Sequence, residues 1–467
     1  MKGSSFRSRP RFKPASNPGP NPARAGIKPS VVRVGLLGLG NVGSGVAEIL
    51  ARHGRLIAER SGVELELVRA CVRQRKKKRT GAAAKVSLTS DPLAVIDAED
   101  VDIVCELMGG VEPATALIEA AVMRGKPVVT ANKAVLAGEG PRLFELAAQH
   151  GTDIYFEAAV AGGLPIIRTL REGLAADRVS RIMGILNGTT NFILSRMEEA
   201  LPYAEALREA QVLGFAEADP TLDVCGRDAA DKLAILLQLA FGLAVKPARI
   251  PTSGITELSP DNLRDAAELG YRIKLLAVGE RADKGLGVHA SVRPYLVPAR
   301  NPLSTVRGAD NCVAVESDAL GLTLYQGKGA GGLPTGSAVV SDLIEAARNW
   351  RAGIVGRGAA RVGDAVPKLM PKEEARGAYY VRVLVSDRPG VLASIAQILA
   401  EHQVSLATVL QREHGLSKAK PVPVVMLTHP TTEGAMQRVL AAVACLPVMR
   451  RRPQVLRILQ EAPAAGE

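Results

Sequence analysis

Val31-Val32-Arg33-Val34-Gly35-Leu36-Leu37-Gly38-Leu39-Gly40-Asn41-Val42-Gly43-Ser44-Gly45-Val46-Ala47-Glu48-Ile49-Leu50-Ala51 decides the fold. The apolar run up to Leu37 reads as a buried strand of a parallel sheet. The stretch from Val46 on reads as a helix. Gly38, Gly40 and Gly43 stand between them as G-x-G-x-x-G, with Leu39, Asn41 and Val42 filling the loop. In that setting the first glycine permits a tight turn, the second lets the backbone approach a pyrophosphate, and the third lets helix and strand pack closely. The free N–H groups of the helix N-terminus face the phosphates. A glycine-rich turn in an unrelated α/β domain is the competing reading, and the strand–turn–helix order weighs against it.

The second strand, Leu65 to Val72, runs into Arg73-Gln74-Arg75-Lys76-Lys77-Lys78-Arg79. In a Rossmann-type unit this strand ends beside the adenosine ribose, where an acid would accept the 2′-hydroxyl of NAD. No acid stands here. A cationic cluster suits a 2′-phosphate, so NADP is favoured over NAD, with Arg73 and Arg75 the nearest contacts by position. Use of NAD as well stays open. Lys76 to Arg79 individually read better as a solvated loop.

Further strands are expected over 101–108, 127–133 and 153–160, with a helix from about Pro113 to Arg124. Alternating strand and helix imply a doubly wound parallel sheet with ligands at the carboxyl ends of its strands. Thr130 and Lys133 lie at such an end, where Lys133 can reach a carboxylate or the cofactor. After residue 160 comes Ala161-Gly162-Gly163-Leu164-Pro165, which offers main-chain carbonyls to a cation.

Between Gly214 and Lys232 the chain places Glu217, Asp219, Asp223, Asp228 and Asp231 just ahead of the apolar Leu233-Ala234-Ile235-Leu236-Leu237. So many acids beside an apolar segment are costly unless they are paired or bind something polar. Asp228 and Lys232 are four apart and share one face of a helix. A lysine held by a carboxylate at the edge of a core has its proton affinity set by its surroundings, which describes a proton-transfer group. An ordinary surface ion pair is the alternative.

At 467 residues, two or three domains are expected. Aromatics make up only 3%, so the cores must be aliphatic. The net charge of +12 is concentrated: residues 1–30 carry seven Lys or Arg and no acid, and 73–79 carry six. The remaining protein is close to neutral, which argues against a nucleic-acid-binding surface spread over the fold. The five cysteines are scattered without a C-x-x-C pair, as expected of reduced thiols in the cytoplasm. No apolar run would span a membrane. Residues 1–30 read as a disordered basic tail rather than a secretory signal.

Taken together, these segments resemble homoserine dehydrogenases of the bacterial monofunctional type. The resemblance rests on Gly38 to Gly43, Val129-Thr130-Ala131-Asn132-Lys133-Ala134, Glu157 to Pro165, Asn187-Gly188-Thr189-Thr190-Asn191, Gly214 to Lys232, and Gly329-Ala330-Gly331-Gly332-Leu333-Pro334-Thr335. It implies NAD(P)-dependent interconversion of L-homoserine and L-aspartate 4-semialdehyde, on the route to threonine, isoleucine and methionine. By resemblance Lys232 is the acid/base lysine and Asp228 its orienting carboxylate. Lys133 lies near nicotinamide and substrate. Glu217 and Asp223 hold the amino-acid substrate, with Gly188 and Thr189 lining the pocket. Gly331 and Gly332 approach the nicotinamide. Glu157, Val160, Gly162 and Leu164 match a structural sodium site. A homodimer or homotetramer is implied. No cysteine–histidine or serine–histidine arrangement offers a nucleophile, and hydride chemistry needs none.

The helix expected from Pro334 returns, by resemblance, to the nucleotide-binding unit. The strand–helix order after residue 377, with Asp387-Arg388-Pro389-Gly390-Val391-Leu392, is ferredoxin-like and resembles an ACT domain, with L-threonine the implied effector. The expected organisation is a tail at 1–30 and a Rossmann domain at 31–157 completed by about 329–350. An α+β catalytic and dimerisation domain at 158–328, a linker at 351–376 and an ACT regulatory domain at 377–462 follow. A catalytically silent sensor of nucleotide and amino acid, docking through its tail, is the second reading. The lysine–carboxylate pair argues against it.

Overall fold

The computed structural model describes residues 30–282, 285–358, 367–411 and 421–460. The basic tail expected over 1–30 therefore lies, up to residue 29, outside the described residues. Strands β1 (Ser30–Leu37), β2 (Val63–Cys71), β3 (Ser87–Thr89), β4 (Ile103–Glu106), β5 (Val128–Thr130) and β6 (Ile154–Tyr155) form a parallel sheet in the order β3-β2-β1-β4-β5-β6. This is the doubly wound order, and its switch point falls between β1 and β4. Val32, Val34, Leu36 and Leu37 are fully buried in β1, each side chain contributing about 1.5–3 kcal/mol by leaving water.

The strand expected over 153–160 is only two residues long. The chain leaves the sheet at Phe156, and Glu157–Ala159 form a 3₁₀ turn. Glu157 is tied down from both ends: its N–H donates to Asp342 at 2.7 Å, and its carboxylate accepts the N–H groups of Ile167 and Arg168 at 2.8 and 2.9 Å. Those bonds cap the next helical segment, an alternative that strand pairing cannot match.

The helix Gly332–Arg351 starts two residues before Pro334 and packs its Val339, Leu343, Ala346 and Ala347 into the same core as Val34 and Leu36. It crosses the helix Asn41–Ser61 at glycines. A Cβ on Gly45 would lie 2.1 Å from the Gly332 carbonyl oxygen, so the two backbones touch.

A second sheet has eleven strands. Its first five strands in chain order are β7 (Val179–Ile185), β8 (Tyr271–Arg281), β9 (Gly287–Pro298), β10 (Asp310–Ser317) and β11 (Gly321–Lys328). Within the stretch expected to be a linker, Lys368–Leu369 forms β12 and pairs with the start of β9. The C-terminal strands are β13 (Arg376–Val385), β14 (Leu406–Gln411), β15 (Val422–Thr428), β16 (Thr431–Thr432) and β17 (Gln454–Ile458). The path runs β11-β10-β7-β8-β9-β17-β13-β15-β14. The four strands β17-β13-β15-β14, with helices Val391–Glu401 and Glu433–Ala444, make a ferredoxin-like unit. Its last strand pairs parallel with β9, Arg457 opposite Tyr295 and Ile458 opposite Leu296. Arg382 with Asp265 (2.9 Å) and Asn262 with Gln454 (3.0 Å) fasten the two parts further.

Candidate active site

Three helix N-termini meet at one carboxylate. The helix Arg227–Phe241 carries Asp228 in its first turn and Lys232 one turn on. Its apolar face, from Leu233 to Leu237, is buried, and Gly279 of β8 lets it come close: a Cβ there would lie 2.5 Å from Leu237. The helix Lys133–Gln149 begins with Lys133, capped by the Asn132 side chain. The helix Gly188–Glu198 begins after Asn187, whose side chain accepts from Thr190 N at 2.8 Å.

Asp228 Oδ2 accepts from Lys232 Nζ at 2.7 Å and from Asn187 Nδ2 at 2.9 Å. Asp228 Oδ1 pairs with Lys133 Nζ at 3.0 Å. Burial alone would raise the carboxyl, but Lys232, Lys133 and the donated hydrogen bonds outweigh it and hold Asp228 well below the usual carboxylate range. The dipole of its own helix acts in the same direction. Lys133 answers in kind: burial pulls it down, and Asp228 more than restores it, leaving it raised.

Lys232 Nζ also donates to the Leu186 carbonyl at 2.6 Å. An ammonium has three N–H donors. Two are therefore used, and the third is available to a ligand.

The Asn187 amide reaches a second acid, Asp223, at 2.6 Å. Asp223 and Asp231 are both raised, first by burial and then by the charge of Asp228. Gly188 and Thr189 form the first turn beside them. Thr189 Oγ1 donates to Phe215 O at 2.6 Å, joining this turn to the acidic segment. Glu217 is not brought into the cluster. Its side chain is exposed and makes no hydrogen bond or ion pair with a described residue.

The three glycines of the loop differ in what a side chain would meet. Gly38 has φ +107° and faces the Leu107 carbonyl, a Cβ falling 2.6 Å away. A Cβ on Gly43 would lie 2.6 Å from the Gly38 carbonyl oxygen. A Cβ on Gly40 would meet nothing within 4 Å, so that side of the turn is open to a phosphate. Gly40 caps the helix without a side-chain bond, so the N–H groups of the first turn stay available. Gly331 and Gly332 close on this loop from the opposite side, a Cβ on Gly332 meeting Asn41 Oδ1 at 2.6 Å. The residues present thus fit a dinucleotide. Cys71 at the end of β2 accepts from Gly38 N at 3.0 Å, so the basic loop starts beside the glycine loop. Arg73 and Arg75 are exposed there and pair with no described acid.

Thr130 Oγ1 donates to Glu106 at 2.6 Å, and Asn132 Nδ2 to Gly110 O at 2.7 Å. Glu106, Asn132 and Asn187 are site-shaping residues that the sequence reading did not single out. For Asn187 and Asn132 a signal existed, an asparagine immediately before a helix. For Glu106, a charge closing a buried strand was the only hint.

In the loop after Glu157, Val160, Gly162 and Leu164 are buried. The Leu164 carbonyl accepts from Ile166 N at 2.9 Å, whereas no described N–H reaches the carbonyls of Val160 and Gly162. Among the described residues no group of three His, Cys, Asp or Glu could hold a metal, and no helix is long and apolar enough to cross a membrane.

The sequence and fold are similar to those of known proteins. Residues 38–157 match the family of the homoserine dehydrogenase NAD-binding domain, 165–344 that of homoserine dehydrogenase, and 379–445 that of the ACT domain. The homoserine dehydrogenase of Neisseria gonorrhoeae is 41% identical over 440 residues, 91% of this chain and 98% of that protein. A crystal structure of a homoserine dehydrogenase from Thiobacillus denitrificans is similar with a TM-score of 0.86 and 43% identity, over 92% of this chain and 98% of that one. A hyperthermophilic archaeal homoserine dehydrogenase in complex with NADPH has a TM-score of 0.58 and 30% identity, over 68% of this chain and 98% of that one. A nucleotide-binding sheet, a lysine–carboxylate cluster at its mouth and relatives matched over nearly their whole length lead to one conclusion: this chain belongs to the homoserine dehydrogenase family, oxidoreductases acting on a CH–OH group, with an ACT domain at 379–445.

Proposed function

We propose that the chain reduces L-aspartate 4-semialdehyde to L-homoserine with NADPH, and catalyses the reverse oxidation, as a step toward threonine, methionine and isoleucine in the cytoplasm. The observation that carries the reading is the single carboxylate of Asp228 holding both Lys232 and Lys133. Nicotinamide, when bound, supplies the hydride. Lys232 uses its remaining N–H to give a proton to the aldehyde oxygen as it becomes a hydroxyl, and takes that proton back in the oxidation. Asp228 fixes the direction of both ammonium groups. Lys133 places a second positive charge beside the reacting carbonyl, where negative charge develops. Asp223, Glu217, Gly188 and Thr189 form the pocket for the amino-acid end of the substrate. The role of Glu217 at the substrate ammonium rests on the family resemblance, its side chain being exposed on the same acidic segment.

NADP is the preferred cofactor on this reading, supported by the exposed, unpaired Arg73 and Arg75 beside the glycine loop and by the NADPH bound to the archaeal relative. The buried carbonyls of Val160 and Gly162, with Glu157 and Leu164, suit a structural sodium ion, since hard cations take oxygen ligands and buried carbonyls need partners. The ACT domain binds L-threonine as a feedback effector, and the active form is a homodimer or homotetramer. Oxidation of L-homoserine followed at 340 nm with NADP and with NAD, with and without L-threonine, tests the reading. No turnover by folded protein that binds NADP would overturn it.

A further inference from the structure

A second cleft, of about 570 Å³, lies between the β7–β11 part of the large sheet and the ferredoxin-like unit. That volume is within the range of pockets that take metabolites. No residue of the lysine–carboxylate cluster lines it, nor does any of the loop 387–392. Its walls carry four arginines, Arg293, Arg451, Arg452 and Arg457, against two acids, Glu257 and Glu433. Glu433 is already engaged, 2.9 Å from Arg293 and 4.0 Å from Arg457. Arg451 and Arg452 are exposed and pair with no described acid. Tyr379 also lines the cleft. It is 2% exposed, and its hydroxyl is buried without a hydrogen-bond partner. Such a group bears the cost of desolvation with nothing to offset it. Burial pushes the phenol up to about 12, so at neutral pH it is a donor awaiting an acceptor.

We propose that this cleft binds a small organic polyanion, carrying carboxylate or phosphate groups, with Arg451 and Arg452 pairing its charges and the Tyr379 hydroxyl donating to one of its oxygens. An excess of arginine selects the sign of the ligand, and the planar guanidinium selects oxyanions that accept two hydrogen bonds.

The cleft stands one backbone layer behind the substrate segment. Gly254 lines it, and a Cβ there would lie 1.9 Å from the Val224 carbonyl oxygen and 2.6 Å from the Cys225 Cα. Ile255 N donates to that same Val224 carbonyl at 2.9 Å. Val224 to Gly226 is the turn that separates Asp223 from Asp228. A ligand that shifts Ser253 and Gly254 must shift this turn, because the contact is backbone on backbone and has no slack.

Calorimetric titration of the full chain, saturated with NADP so that the glycine loop is filled, tests the proposal with citrate and with pyrophosphate as probes. At least one binds. Binding of citrate alone assigns a carboxylate ligand, and of pyrophosphate alone a phosphate ligand. Reversing charge in the exposed pair (Arg451→Glu with Arg452→Glu) weakens that binding by about tenfold or more while the unliganded activity is unchanged. Tyr379→Phe raises the melting temperature of the unliganded protein and diminishes the further rise that the probe produces, which a purely structural tyrosine would not do. Failure of both probes to bind at millimolar concentration overturns the proposal, as does binding that neither variant weakens.

Discussion

Asn187 donates its side-chain amide to Asp228 at 2.9 Å, and the same nitrogen reaches Asp223 at 2.6 Å. One amide thus separates two acids that would otherwise repel, while its oxygen caps the helix Gly188–Glu198. Asn187→Ala removes a cap and a bridge together. The expected loss of stability is about 1–3 kcal/mol, read from chemical denaturation. Substrate KM should rise because Asp223 is no longer held, with the KM for NADP unaffected.

Removing either lysine leaves Asp228 one ammonium beside the Asn187 amide. Lys232→Ala should cost about 10²- to 10⁴-fold in kcat, the range for a positioned acid/base group, with cofactor affinity retained. Lys133→Ala should reduce kcat less. The double variant strands a buried carboxylate and should lose about 3–5 kcal/mol of stability. Thermal unfolding of all three variants checks this, and additive losses would show that the two lysines do not share Asp228.

The same carboxylate makes stability depend on pH. The folded-state pKa of Asp228 is depressed, so its contribution is fully present above the unfolded value of about 3.9 and is lost as pH falls below it. Asp228→Asn should therefore be less stable than the parent at pH 7, and the gap should narrow on acidification below about pH 4. Asp342 has the opposite sign. Burial, with Glu157 nearby, raises it well above the usual range, so it destabilises the fold as pH rises past the unfolded value. Asp342→Asn should gain on the parent between acid and neutral pH. Denaturation midpoints across that range measure both.

Gly40 and Gly43 are two residues of one motif with different duties. A side chain at Gly40 meets nothing within 4 Å, whereas one at Gly43 meets the Gly38 carbonyl at 2.6 Å. Gly40→Ala should leave the melting temperature unchanged and weaken NADP. Gly43→Ala should lower the melting temperature. Equal destabilisation by both would remove the argument that Gly40 is kept open for phosphate.

Arg73→Glu with Arg75→Glu should raise the KM for NADP by about tenfold to a hundredfold, the loss of one or two charge-assisted contacts. The KM for NAD should change little, because NAD has no 2′-phosphate. Parallel assays with the two cofactors decide it, and a proportional loss with both would move the 2′-phosphate site elsewhere.

The nucleotide-binding unit was legible because its signal is local. Glycines at fixed spacing between a strand and a helix admit few geometries. The pair of Asp228 and Lys232 was legible for the same reason, being one helical turn apart. Lys133 could be placed near them only through the family resemblance, since 95 residues separate it from Asp228 and no periodicity connects them. Glu106, closing a buried strand, and Asn187, bridging two acids, gain their roles from tertiary contacts that no window of sequence contains. The strand expected over 153–160 failed for a related reason. Its apolar residues are buried, but the Glu157 carboxylate found better partners in the N–H groups of Ile167 and Arg168 than a ladder would offer.

The parallel pairing of β17 with β9 has a consequence for assembly. β17 is the last described strand in the chain, yet it sits between β9 and β13 in the middle of the large sheet. A nascent chain therefore leaves residues 378–382 of β13 and 295–296 of β9 without their β17 partner until residues 454–458 have been synthesised. Unpaired strand edges invite pairing with other chains. Premature termination anywhere between 386 and 453 should thus yield aggregates rather than a smaller working enzyme. The order of synthesis makes the final strand the step on which solubility turns.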